Sequence, residues 1–379
     1  MSQPDSLLDR ADAAMARQSW LEAWALLEQV NPDYNGSSRH LGARRLDFMM
    51  LTAGCLRHRG KFEASEKMYR QLIEELSLAD SRLAEALMGL GDALHARGKL
   101  GEAVQMLRAA TKIPDQDPNL ILRVATTQAH IYYHLDLKQS LEMFQQATKL
   151  ETIPVLEAHL DFSYGEALML AGRFEEAAVR LYEARGLAEK EGLAVTLADC
   201  IGRISLLHAI QRNTSSAMTD LADIVNAMEL YKASGDRGEI YLHTEHGEVL
   251  RALGRDREAE TEFKRGLWAS REIGDLNRQG HNLLGLYEIS RAIGRPQPEL
   301  LEQAGLDYSK SDSDWGMIHC AIAAALSAPD NRQEILSQAV ELIEKSHLSD
   351  FPQERQLLNW IKMATPGELS QEPHLMNYP

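Results

Sequence analysis

Apolar and small residues recur along this chain at helical spacing, and they recur in blocks. The block "ARGKLGEAVQML" (96–107) has clear relatives in "HRGKFEASEKMY" (58–69), "LAGRFEEAAVRL" (170–181) and "ALGRDREAETEF" (252–263). Fainter copies are "ARQSWLEAWALL" (16–27), "YHLDLKQSLEMF" (133–144), "IQRNTSSAMTDL" (210–221) and "AIGRPQPELLEQ" (292–303). In each, one amphipathic helix ends, a short turn follows and a second helix starts. The turn position falls at 18, 60, 98, 135, 172, 212, 254 and 294, so the copies are 37–42 residues apart. Eight copies at that spacing leave no room for another domain before residue 310. No alternating Val/Ile/Thr run bounded by turn dipeptides is present, so no strand is expected.

Small residues hold fixed places within this period. Gly91 on a first helix and Ala103 on a second allow two backbones to approach. Ala110 lets the next pair nest, and Leu87, Leu90, Leu94 and Leu107 fill the remaining space. Gly98 ends its helix where a left-handed residue is needed, a conformation glycine adopts without a steric cost. Past residue 310 the period fades. "MIHCAIAAALSA" (317–328) reads as one buried helix, 331–346 as an amphipathic helix and 353–364 as a further one. The stretch 365–379 has prolines and no periodicity, and is expected to be disordered.

The set Leu87, Leu90, Gly91, Leu94, Ala103, Leu107, Ala110 and Pro114 resembles the tetratricopeptide repeat family. Gly165, Leu168, Gly172, Ala177, Leu181 and Ala184 repeat it, as do Gly247, Leu250, Gly254, Ala259, Phe263 and Gly266. The longer spacers, two of them with a Gly–Asp step (235–236 and 274–275), look like the forty-residue subclass of kinesin light chains and bacterial sensor-regulators. The resemblance implies an all-α, right-handed solenoid of stacked antiparallel helix pairs. About eight repeats would span 1–310, with a degenerate repeat and capping helices over 311–364. It also implies that defined first-helix positions line a concave groove. Here these include Asp47, Glu85, Met88, Asp92, His95, Tyr132, Tyr133, His159, Phe162, Glu166, Tyr241 and Glu248. The basic and asparagine-rich clamp of chaperone-binding members is missing from the matching positions.

Charge narrows the partners. With 40 Lys and Arg against 56 Asp and Glu, the chain carries a net charge of −16, which disfavours direct nucleic-acid binding. Carboxylates mixed with Tyr, Phe, Met and His suit a peptide or protein segment with basic and apolar side chains. The three cysteines, Cys55, Cys200 and Cys320, are distant and odd in number, which fits a reducing cytoplasm. The start has no signal-peptide pattern, and no apolar run is long enough to span a membrane.

Candidate chemistry is sparse. The sequence has no Walker-type loop, GxGxxG after a strand, GxSxG, HExxH or CxxC. His130 and His134 could share a helix face, as could His243 and His246, but neither pair brings an evident third ligand. Both are read as ordinary inter-helix positions, and Cys200, two turns from His208, as a small buried hydrophobe. No catalytic residue, metal or cofactor is expected. The leading expectation is a non-enzymatic scaffold or adaptor that binds a segment in its groove. The alternative is a small-ligand or peptide sensor that acts through a partner protein. Self-association through the C-terminal helices is left open.

Overall fold

The computed structural model describes residues 3–31, 39–114, 116–211, 213–311, 313–327 and 331–345. Among these there is no strand, and the α-helices fall into pairs. The pairs are α1 and α2 (Gln3–Ala16, Trp20–Val30), α3 and α4 (Arg45–His58, Phe62–Glu75), and α5 and α6 (Leu83–Ala96, Leu100–Ala110). Then come α7 and α8 (Pro118–Tyr132, Leu137–Ala147), α9 and α10 (Pro154–Leu170, Phe174–Glu191), and α11 and α12 (Ala194–Ile210, Thr214–Ser234). The last are α13 and α14 (Glu239–Ala252, Asp256–Ile273), α15 and α16 (Leu276–Ala292, Pro298–Lys310), and α17 and α18 (Asp314–Ser327, Arg332–Lys345). The helix expected over 353–364, the tail over 365–379 and the turn residue Arg212 lie outside the described residues.

Each pair closes where the sequence places its small residues. A Cβ on Gly91 would lie 3.1 Å from the Leu107 side chain and 3.5 Å from the Ala103 carbonyl. Leu90, Leu94, Ala103, Leu107 and Ala110 are buried around that contact. Removing a Leu side chain from water contributes about 1.5–3 kcal/mol, so these apolar contacts are a large part of what holds a pair together. Gly60, Gly98, Gly172, Gly254 and Gly294 carry the left-handed turns between paired helices. The first turn differs: Gln18 adopts a φ of 58° there, the one non-glycine with positive φ among the described residues. Pair length also varies. The second helix runs 11 residues in α6 and α8, then 18 in α10, 21 in α12 and 18 in α14.

The array curls until its beginning meets its later pairs. Helix α2 packs on α12, and a Cβ on Gly235 would meet Leu21 at 2.3 Å. The Arg237 amide donates to the His58 carbonyl at 3.1 Å. Gln18 completes this junction. Its Oε1 accepts from the amides of Val195 and Thr196 at 2.9 and 3.1 Å. Those are second- and third-position amides of α11, whose own leading residue, Leu193, offers no side-chain cap. A residue from the first pair therefore caps a helix of the sixth.

Candidate functional site: a charged cavity inside the solenoid

The first helices of successive pairs face inward, and the closure described above turns their shared wall into a cavity of about 450 Å³. Its wall carries Arg57 from α3, Asp92 and His95 from α5, His130 from α7, Phe162 and Glu166 from α9, Asp199 and Arg203 from α11, and Tyr241 and Glu245 from α13. The loops after α12 and α14 add Asp236, Arg237 and Asp275 to the lining, and the first turn of α15 adds Arg278.

Charges on the wall are cross-linked from pair to pair. Arg57 lies 4.0 Å from Asp92. Glu166 sits 3.7 Å from His130 Nδ1 and accepts from Arg203 Nε at 2.7 Å, and Arg203 Nη1 reaches Glu245 at 3.3 Å. The Arg278 guanidinium lies over Tyr241, 4.8 Å from the ring centre. Arg203, Glu166 and Glu245 are each less than a tenth exposed. Removing one member of such a set leaves an uncompensated buried charge, at a cost of about 3–5 kcal/mol.

Burial sets the protonation pattern. It raises the carboxyls of Asp92 and Glu245 above their ordinary range, with Arg57 and Arg203 respectively opposing the rise. Asp199 is pushed up to about 8 by burial although the Tyr231 hydroxyl donates to it, so it is largely protonated at neutral pH. His58, on the cavity wall, falls to about 4 through burial and the neighbouring Arg57. Its Nε2 accepts from Arg57 and its Nδ1 donates to Asp236, both at 2.7 Å, and its ring stacks on Trp20 at 3.5 Å.

Six of the twelve residues assigned to the concave face line this cavity: Asp92, His95, Tyr133, Phe162, Glu166 and Tyr241. The structure does not bring the others there. Met88 lies in the packed core, Tyr132 turns its hydroxyl toward Arg108, and buried Glu248 pairs with Arg251. Asp47 bridges Arg44 and Arg82, and Glu85 pairs with Arg123. His159 joins the Gln18 junction, its Nε2 3.2 Å from Gln18 Nε2 and 3.1 Å from Thr196 Oγ1. One residue is a 100° rotation on a helix, which is why Tyr133 faces in and Tyr132 does not. Sequence reasoning missed Arg203 and Glu245, yet His130, Glu166, Arg203 and Glu245 are spaced by 36, 37 and 42 residues. Chargeable residues at the repeat interval were the available signal.

The lining is also more balanced than the mapped positions suggest. Six carboxyl groups (Asp92, Glu166, Asp199, Asp236, Glu245, Asp275) face six basic side chains (Arg57, Arg97, Arg203, Arg237, Arg278, Lys310). The histidine pairs separate in character. His130 and His134 acquire a third neighbour, His95, whereas His243 and His246 both face Glu262, with Nδ1 at 2.8 and 3.6 Å. Cys200 is buried and its thiol is raised well above its ordinary value, which leaves no reactive thiolate beside His208.

Comparison with known proteins agrees with this architecture. The tetratricopeptide repeat family model matches residues 56–119 and 132–188. A Rap protein complexed with Competence and Sporulation Factor superposes with a TM-score of 0.58 at 12% identity, over 87% of this chain and 99% of that one. The fold is a tetratricopeptide-repeat-like α-solenoid. The apo form of RapI is more distant, with a TM-score of 0.48 and 13% identity over 91% of this chain and 98% of that one. No curated protein matches the solenoid's sequence. No helix among the described residues is long and apolar enough to cross a membrane.

Proposed function

We propose that the solenoid is a non-enzymatic interaction module that takes a short peptide or protein segment into its central cavity. The observation that carries this reading is the inward wall itself. It offers fixed charges of both signs, cross-linked between pairs, beside Phe162, Tyr133 and Tyr241. Prepositioned ions give orientation and specificity, and aromatic anchors give affinity. The structural neighbour with Competence and Sporulation Factor bound supports the same reading. On it, the segment carries basic side chains toward Glu166 and Glu245, and acidic or apolar ones toward Arg203, Arg278 and the aromatic rings. The module works in the cytoplasm as an adaptor.

One observation favours a second reading, a sensor for a small ligand. A 450 Å³ cavity falls within the roughly 300–1,000 Å³ of small-molecule sites. One experiment separates the two. The intact chain is mixed with a library of short synthetic peptides, and peptides that co-elute with it are identified and titrated. Binding should weaken by at least about tenfold in a Phe162→Ala/Tyr241→Ala variant that keeps its helix content. Equal binding by both chains would move the site out of the cavity. A melting shift with a metabolite and with no peptide would favour the sensor.

A further inference from the structure

His95, His130 and His134 bring one ring nitrogen each to within 4.8 Å of one another. His95 stands in the last turn of α5, His130 in that of α7, and His134 in the turn that follows α7. The ring centres are 5.3 Å apart for His95–His130, 5.3 Å for His95–His134 and 6.3 Å for His130–His134. Their planes meet at 84°, 48° and 89°. The rings are thus arranged as a triangle around a common point, not as a stack. Among the described residues no other three His, Cys, Asp or Glu side chains converge so closely.

We propose that these three histidines bind one divalent transition-metal ion, zinc by its donor preference, with the remaining position open to the cavity. A tetrahedral zinc ion holds nitrogens at about 2.0–2.1 Å and therefore about 3.4 Å from one another. Binding calls for side-chain rotations that close this spacing, for which His134 sits in a turn and all three residues line the cavity. Three protein donors are the pattern of a site that keeps a position for water or a ligand. The Glu166 carboxylate, which accepts from Arg203, stands 3.7 Å from His130 Nδ1, the nearest carboxylate to a ligating ring and, on closing that gap, its outer-shell partner.

The site stands independently of the peptide reading, because its donors bind an ion whether or not a peptide enters. The test uses the full, untagged chain, stripped with chelator and dialysed. Zinc is titrated by calorimetry and cobalt by visible absorption. The expected result is one equivalent per chain and the intense cobalt bands of a four-coordinate site. His134→Asn and His95→Asn should each weaken binding by at least about tenfold. His243→Asn/His246→Asn should bind as the parent does. Circular dichroism reports whether each variant folds, and His134→Asn, in the turn, serves if His95→Asn does not. No saturable binding of zinc or cobalt, or one equivalent retained by the folded His134→Asn chain at unchanged affinity, overturns the proposal.

Discussion

At the scale of single residues, the fold rests on contacts too close for a side chain. Gly91→Leu places a branched group against Leu107 and the Ala103 carbonyl, and Ala103→Leu does so from the other helix. Each should lower unfolding free energy by about 1–3 kcal/mol in denaturant titrations, with faster amide exchange in α5 and α6 and little change beyond α14. His58 gives a pH prediction. Its folded value of about 4 lies below the ordinary 6.5, so between these the unfolded chain holds the extra proton. Stability is therefore lost as pH falls from about 6.5 toward 4, and His58 contributes no slope above that window. Denaturant titrations at pH 7, 6 and 5 should show a loss of stability, shared with the lowered His95 and His130, that His58→Gln reduces by on the order of 1–3 kcal/mol. The small-residue contacts were legible in the sequence because both partners sit inside one repeat. The neutrality of His58 was not, because Trp20, which stacks on it and helps bury it, comes from another repeat, and so does Asp236, which opposes the lowering.

Elements bring the junction into view. Sequence alignment marks position 18 as a turn and shows Gln where the clear copies have Gly, but not what the side chain does. Its hydrogen bonds reach residues 177 and 178 positions away, and that meeting depends on the summed rotation of four intervening pairs. A pattern repeated locally carries no measure of that sum. The cavity was half legible. One fixed set of repeat positions includes Glu166 and Tyr241, which line the cavity, and also Glu248, two turns further along α13 and paired with Arg251, and Tyr132, turned to Arg108. Gln18→Leu removes the acceptor for two α11 amides and should cost about 1–2 kcal/mol, with exchange at Val195 and Thr196 accelerating first. Gln18→Gly should cost less, since glycine relieves the positive φ while losing the same bonds.

On the scale of the whole molecule, most of the architecture follows from stacking like units, each helped only by the next. The link from Gln18 and His58 to the sixth and seventh pairs breaks that rule. In a linear array, free energy propagates from neighbour to neighbour, and either end can fray alone. Here the end of the chain is also a neighbour of its middle, so fraying of α1 and α2 exposes the first turn of α11 directly. Deletion of residues 1–44 should therefore speed exchange at 193–197 and 235–238, while α7 and α8, which lie nearer in sequence, change less. The closure also has a kinetic side. A contact between residues nearly 180 apart forms late, because a long loop must close before it yields any gain. Refolding should then show a slow final phase, seen as late protection of the Val195 and Thr196 amides, in which an already helical but open spiral becomes a closed ring.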